Sequence, residues 1–176
     1  LEDKVDAMHV LDLCRAAMDI VGKRFEQGEY FLPELVLAGE MLDTIGAVAK
    51  PLIKEAGGGA VQTHGRVLIG TVEGDLHDIG KKIVAMMLEG DGFNVIDLGI
   101  NVTTETFMEA IEKEQPQILG MSAMLTTTMT AMQSVVERLA QLGYGDKVKI
   151  MVGGAPLSEA FAQKIGAHYS HDATSA

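Results

Sequence analysis

Asp75 and His77 stand two residues apart in the stretch GTVEGDLHDIGKKIV, which begins at Gly70 and links a hydrophobic run to a helical one. A carboxylate at this spacing can fix one ring nitrogen of the histidine and set its tautomer, which leaves the other nitrogen to coordinate a metal. The alternative is that Asp75 caps the next helix and that His77 is only a polar loop residue. Taken alone, the pair leaves both interpretations open.

The rest of the sequence offers no second metal ligand at the spacing of a zinc site. It has no HxxxH motif, and Cys14 is the one cysteine. If His77 binds a metal, a cofactor must therefore supply most of the other ligands. Four further histidines receive no functional assignment: His9, His64, His168 and His171.

Glycines lie at or near the ends of the hydrophobic runs in the second half of the chain, namely Gly74, Gly80, Gly99, Gly153 and Gly154. Turn geometry would explain each of them, and so would the close approach of a large flat or elongated ligand to the backbone. The sequence GTVEGDLHDIG does not have the G-x-G-x-x-G spacing of a dinucleotide-binding turn, which argues against that class of site.

The stretch GMSAMLTTTMTAM, residues 120–132, places Ser122 and three threonines among methionines. One interpretation is a strand end followed by a hydroxyl-rich loop and a helix that faces the core. The other is a pocket with an apolar wall and a few hydroxyl groups, which would suit a heteroaromatic ligand.

Short apolar runs alternate with helical segments from residue 58 onwards. The strands are predicted at 66–72, 94–99, 118–123, 148–154 and 167–170, and the helices at 79–90, 103–115, 127–142 and 156–166. Such alternation predicts an α/β domain with a flavodoxin- or Rossmann-like, five-stranded parallel sheet. Ligands of such sheets bind beyond the carboxyl ends of the strands, where Asp75 and His77, Ser122, and Gly153 with Gly154 converge.

The first 57 residues are predicted to form a small all-α bundle. Apolar residues from Val10 to Phe25 recur at helical spacing, and a second helix is predicted from Phe31, with Pro51 as a kink or an end. The run Gly57–Gly59 marks the expected boundary between a helical domain, 1–57, and the α/β domain, 58–176.

Composition excludes several classes of protein. The chain has 14 Lys and Arg against 25 Asp and Glu, a formal charge of −11 that disfavours nucleic-acid binding. No apolar run reaches the roughly 18–20 residues of a membrane helix, and the charged N-terminus has no signal-peptide pattern. With its single cysteine, the chain is expected to be cytoplasmic.

The three motifs together, Asp75-x-His77-x-x-Gly80, Ser122 with its small and apolar followers, and Gly153-Gly154, resemble the cobalamin-binding domain of corrinoid-dependent methyltransferases. The segment VGKRFEQGEYFLPELVLAGEML, residues 21–42, is similar to the helical domain that precedes this module. The resemblance covers nearly the whole chain.

The resemblance implies a role for each matching residue. His77 would be the lower axial ligand of cobalt in place of dimethylbenzimidazole (base-off, His-on), Asp75 its hydrogen-bond partner, and Ser122 the hydroxyl that continues the relay. The residues expected to contact the cofactor are Gly74, Asp75, Leu76, His77, Asp78, Ile79, Gly80, Gly99, Ser122, Met124, Thr126, Gly153 and Gly154.

This chain departs from the family pattern in two places. Met124 stands where the family commonly has Leu, and the similar volume predicts that the pocket for the nucleotide tail survives. The family's helical domain has four helices, but only about two fit before Gly57, so the bundle is expected to be incomplete. Phe31, Leu32 and Met41 are candidates to cover the methyl-bearing face of the corrin, with ordinary bundle core as the alternative.

The resemblance implies a carrier that is not catalytic alone. It would bind methylcobalamin or a related corrinoid and pass a methyl group, through cobalt, between a substrate-specific methyltransferase and a methyl-accepting one. A corrinoid-reactivating protein is a further expected partner. The methyl donor is left open among methanol, methylamines and methoxylated aromatics. Alternatives are a subunit of an adenosylcobalamin-dependent mutase, a cobalamin sensor module, and a flavodoxin- or receiver-like domain without cobalamin.

Overall fold

The computed structural model describes residues 7–55 and 63–171. The chain divides into two compact units, one made of residues 1–64 and 86–93 and the other of residues 65–85 and 94–176. The expected domain boundary at Gly57–Gly59 lies outside the described residues.

The first unit is helical. It contains α1 (Ala7–Glu26), α2 (Leu32–Glu55) and the last residues of α3 (Ile79–Gly90). Glu34 accepts a hydrogen bond from the backbone N–H of Phe31 at 2.9 Å, which satisfies a donor at the start of α2. Helix α2 does not end at Pro51 but continues to Glu55. No helix among the described residues is long and apolar enough to cross a membrane.

The second unit is a five-stranded parallel sheet with helices, as the alternating pattern predicts. Its strands are β1 (Arg66–Thr71), β2 (Asn94–Asp97), β3 (Ile118–Ser122), β4 (Lys149–Gly153) and β5 (His168–Ser170). Its remaining helices are α4 (Thr104–Glu114), α5 (Met129–Gln141) and α6 (Glu159–Ile165).

The strand order is β2-β1-β3-β4-β5, which is the flavodoxin-like order. Connections leaving β1 and β3 therefore run in opposite directions across the sheet, and a crevice is expected between the loops that follow these two strands. Thr71, Ser122 and Gly153 lie opposite one another in register, so the carboxyl ends of β1, β3 and β4 coincide.

The hydrophobic core of the second unit lies between the sheet and its helices. Phe107 and Ile111 of α4, Met132 of α5, Leu119 of β3 and Val152 of β4 are completely buried. The buried side chains are apolar almost without interruption along the central strands, because both faces of a parallel sheet are covered. This rigid core fixes the position of the loops at the carboxyl edge.

Candidate functional site

The loop after β1, residues 72–78, carries the predicted pair, and the structure brings its two members into contact. Nδ1 of His77 lies 2.7 Å from Oδ1 of Asp75. The same oxygen accepts a hydrogen bond from the backbone N–H of His77 at 3.1 Å. Asp75 is completely buried, whereas the side chain of His77 is 54% exposed. The carboxylate therefore holds the ring from the protein side and leaves its other side open to a ligand.

The second oxygen of Asp75 is bound by the loop after β3. Oδ2 accepts hydrogen bonds from the backbone N–H groups of Met124 at 2.7 Å and Leu125 at 3.2 Å. It also accepts one from the hydroxyl of Thr128 at 2.8 Å. That hydroxyl is 2.9 Å from the carbonyl oxygen of Leu125 as well, but the charged carboxylate is the stronger acceptor. One buried carboxylate thus joins the loops that follow β1 and β3.

These contacts fix the charge of Asp75. Burial alone raises the pKa of this carboxyl, but the hydrogen bonds from Met124, from His77 and from Thr128 together lower the pKa well below its usual range. The group is therefore an ionised acceptor at neutral pH. Because a carboxylate has no proton to give, Nδ1 of His77 carries a proton, and in the neutral imidazole Nε2 then has the lone pair that can bind a metal.

Thr71, at the end of β1, holds the main chain of the histidine. Its buried hydroxyl donates to the carbonyl oxygen of His77 at 2.9 Å. Both the backbone and the ring of His77 are thus bound by neighbouring residues, which reduces the entropy that ligand binding would otherwise cost.

The predicted relay through Ser122 differs from what the structure shows. Ser122 is the last residue of β3, and its carbonyl oxygen accepts from the N–H of Val72 at 3.1 Å. Within residues 7–55 and 63–171, no hydrogen bond links its hydroxyl to Asp75, and Thr128 is the residue whose hydroxyl makes that contact. The physical reason is reach, since the loop after β3 folds back over Asp75 and places its last threonine there. In the described part of the chain, the hydroxyl that contacts Asp75 therefore belongs to Thr128.

Two further residues of this region were missed. Asn101 bonds to the loop that carries Asp75, and Lys81 is completely buried with its ammonium group against the carboxylate of Asp97. That carboxylate also accepts from the N–H of Gly99 at 2.8 Å. The hydroxyl-rich run immediately before a helix was the sequence signal that could have pointed to Thr128. No sequence pattern pointed to Asn101 or Lys81.

The other predicted residues lie at the same edge of the sheet. Gly74 to Asp78 form the loop after β1, and Ile79 and Gly80 begin α3. Gly99 follows β2, Met124 and Thr126 follow β3, and Gly153 and Gly154 close β4.

The candidate cap residues belong to the first unit. Phe31 is 68% and Met41 57% exposed, so neither is part of the bundle core, and the side chain of Leu32 lies outside the described part.

Gly154 has a structural reason to be glycine. Its φ is +134°, and a β-carbon there would lie 1.8 Å from the carbonyl oxygen of Ala123. The close approach at this position is therefore made by the chain's own backbone. At Gly99, in contrast, a β-carbon would meet nothing within 4 Å, so that backbone faces open space.

The surroundings of His77 fit a broad, largely apolar ligand that contains a metal with an open coordination position for the histidine. Five large apolar side chains are exposed on the segments that follow β1, β2 and β3, namely Leu76, Ile79, Ile100, Met124 and Leu125. Among the described residues, no group of three His, Cys, Asp or Glu side chains could hold a metal ion. A single histidine offered among apolar side chains suits a metal whose other ligands belong to a macrocycle.

Fold and site together define a cofactor-binding α/β domain, with one histidine presented at the switch point of a flavodoxin-like sheet. Residues 65–175 match a family model described as B12 binding domain, and residues 1–50 match a second model with the same description. The chain belongs to this family of B12-binding corrinoid proteins, and its cofactor is a corrinoid.

Named relatives agree with this assignment. The chain is 46% identical over 160 residues to trimethylamine corrinoid protein 1 of Methanosarcina acetivorans, covering 90% of this chain and 74% of the relative. It is 44% identical to the dimethylamine corrinoid protein of Methanosarcina barkeri, covering 92% and 75%. A methanol:cobalamin methyltransferase complex of Methanosarcina barkeri matches with a TM-score of 0.85 and 32% identity, over 96% of this chain and 64% of that one.

Proposed function

We propose that this protein carries a methyl group on a corrinoid bound base-off and His-on, with Nε2 of His77 as the lower axial ligand of cobalt. The observation that carries the proposal is the 2.7 Å contact between Nδ1 of His77 and a buried, ionised Asp75, beside an exposed ring. When bound, the corrinoid supplies a cobalt ion that can take up and release a methyl group.

The chain's own residues would set the strength of the axial ligand. Asp75 holds the Nδ1 proton, which raises the basicity of Nε2. The loop after β3 holds Asp75 in turn, through Thr128 and two backbone N–H groups. A shift of that loop would change how firmly the carboxylate holds the ring, and so how strongly His77 binds the metal.

The nucleotide tail displaced by His77 would enter the crevice beside β3. Gly99, Ser122, Met124, Thr126, Gly153 and Gly154 are the proposed lining of this crevice. Ser122 is partly exposed at the sheet edge and is proposed to contact the tail, whereas Thr128 supplies the hydroxyl that bonds to Asp75. On the helical unit, Phe31, Leu32 and Met41 are proposed to cover the methyl-bearing face of the corrin.

The proposed partners are a substrate-specific methyltransferase, a methyl-accepting methyltransferase and a corrinoid-reactivating protein. Relatives that are 44–46% identical are named for trimethylamine and dimethylamine, whereas the methanol system is 32% identical. Methylamines are therefore the favoured class of methyl donor. Transfer of labelled methyl from each amine and from methanol, with each candidate methyltransferase added, would test this choice.

The axial-ligand proposal is tested by electron paramagnetic resonance of the cobalt(II) form. Protein made with nitrogen-15-labelled histidine should show a changed nitrogen hyperfine splitting, and His77→Ala should lose that splitting. His168→Ala is the matched control, because His168 is an exposed histidine on β5 at the far edge of the sheet. A cobalt(II) spectrum of the unaltered protein that does not respond to the label would rule out His-on binding.

A second experiment distinguishes methyl transfer from the chemistry of an adenosylcobalamin-dependent mutase. The apo-protein is reconstituted with methylcobalamin or with adenosylcobalamin and mixed with methyltransferase. Methyl transfer from the first and no turnover with the second is the expected result.

A further inference from the structure

Asn101, in the loop between β2 and α4, makes two hydrogen bonds to the loop that carries the predicted axial ligand. Its Oδ1 accepts from the N–H of Gly74 at 2.8 Å, and its own N–H donates to the carbonyl oxygen of Asp75 at 3.0 Å. The residue is thus bound on both sides of the Gly74–Asp75 peptide bond. Among the described side chains, that of Asn101 is the one that binds the backbone N–H of Gly74, while the N–H of Asp75 donates to the carbonyl oxygen of Val72 at 3.1 Å.

The backbone of Asn101 is in an uncommon conformation. Its φ is +54°, and Gln115 is the one other non-glycine residue with positive φ in the described parts of the chain. Asparagine and aspartate tolerate this left-handed region better than other side chains. The two hydrogen bonds hold Asn101 in this strained conformation. Gly74, which Asn101 contacts, also has a positive φ, of +81°.

The loop behind Asn101 is rigidly attached to the sheet. Its neighbour Val102 donates to the carbonyl oxygen of Thr71 at 2.9 Å and forms a bridge with Val72. Farther back, the ion pair between buried Lys81 and Asp97 holds the start of the loop, through the N–H of Gly99. Asn101 therefore projects from a fixed support toward the loop of Asp75.

We propose that Asn101 is a positioning residue that sets the height and angle at which Asp75 presents the ring of His77 to the corrinoid. It acts through the Gly74–Asp75 backbone and does not contact the cobalt. Because Asn101 is exposed, truncating it leaves no cavity in the core. Its loss should loosen the loop while leaving the fold intact. This inference rests on the proposed role of His77.

Three variants separate the side chain from the backbone strain. Asn101→Gly keeps the positive φ but removes the oxygen that binds Gly74. Asn101→Ala removes the oxygen and retains the strain, and Asn101→Asp keeps both the oxygen and the conformation. Gln115→Gly is the matched control, since Gln115 has φ +48° and its side chain donates to the carbonyl of Glu112 at 2.8 Å, at the C-terminus of α4.

Two measurements on each variant test the proposal. Amide hydrogen exchange of the apo-protein should accelerate at Gly74 in Asn101→Gly, and titration with hydroxocobalamin should give a dissociation constant at least about fivefold higher, the effect of one hydrogen bond. The share of cobalt(II) signal with histidine nitrogen splitting should fall in Asn101→Gly and Asn101→Ala. Asn101→Asp should restore both, and Gln115→Gly should match the unaltered protein.

The outcomes distinguish this inference from the function on which it rests. If the unaltered protein shows histidine splitting and Asn101→Gly shows the same splitting and affinity, the positioning role is wrong and His-on binding stands. A failure of Asn101→Asp to restore what Asn101→Gly loses would also overturn it, because the acceptor oxygen is then not the cause. If the unaltered protein itself shows no histidine splitting, both proposals fall.

Discussion

The hydroxyl of Thr128 donates a hydrogen bond of 2.8 Å to Oδ2 of Asp75 across 53 positions of the chain. The donor comes from the loop after β3 and the acceptor from the loop after β1. Removing this donor leaves a buried carboxylate with one fewer hydrogen bond.

Thr128→Val, which keeps the shape and removes the hydroxyl, should lower the free energy of unfolding by about 2 kcal/mol, as expected for a hydrogen bond to a charged group. Thr128→Ser should restore most of that loss. Urea denaturation measures both, with Ser122→Ala as the comparison. An equal loss in Ser122→Ala would show that Ser122 also supports the carboxylate.

The ionised state of Asp75 predicts a pH dependence of stability. Its folded-state pKa is lowered from an unfolded value of about 3.9, so its contribution is complete above pH 4 or so and is lost as the pH falls toward the folded pKa. Asp75→Asn should therefore be less stable than the unaltered protein at pH 7, and the gap should narrow below about pH 4.

Denaturation at a series of pH values measures this gap. Asp78→Asn is the control, because the pKa of Asp78 is also lowered, chiefly by its hydrogen bond to Lys82, but Lys82 is exposed and Asp78 is partly exposed, so solvent screens the pair. Its stability should follow that of the unaltered protein throughout. A gap for Asp75→Asn that does not change with pH would mean that Asp75 is not ionised in the folded state.

The ion pair of Lys81 and Asp97 should respond asymmetrically to substitution. Asp97→Ala leaves a buried ammonium group without its partner and should cost about 3–5 kcal/mol. Lys81→Met should cost less, because Asp97 is partly exposed and retains its bond from Gly99. Urea denaturation of both variants and of the double variant measures the difference. Equal losses would show that Lys81 gains water when the pair is broken.

Gly154→Ala should damage the site as well as the fold. The added β-carbon would collide with the carbonyl of Ala123, and relief of the collision must move the residue that precedes Met124. Gly143→Ala is the control, since Gly143 has φ +76° but open space around it, and should cost only about 1–2 kcal/mol of strain. Corrinoid affinity should fall in Gly154→Ala alone. Equal effects of the two variants would show that strain, and not the collision, matters at Gly154.

The sheet and its helices were largely predictable from the sequence. Continuous apolar runs mark the strands because both faces of a parallel sheet are buried, and the helical period placed α3 at residues 79–90, where it is observed. Strand ends were predicted one or two residues too long, as at 94–99, because the chain remains apolar after the pairing stops at Asp97.

The site was predictable where its residues are close in sequence and not where they meet across loops. Asp75 and His77 are two residues apart, so their contact follows from the spacing. Three consecutive threonines precede α5, and only the last is buried, which depends on where the helix starts. Asn101 meets Gly74 because the loops after β1 and β2 lie side by side, and no local pattern encodes that meeting.

Two of the three groups that bind Oδ2 of Asp75 are backbone N–H groups, those of Met124 and Leu125. A backbone donor does not depend on the identity of its side chain. Residues 124 and 125 can therefore be exchanged among apolar types, as with methionine in place of the common leucine, without breaking the hold on the carboxylate. This part of the loop is free to adapt its outer surface to different ligand tails or protein partners, while the histidine on the neighbouring loop keeps its orientation.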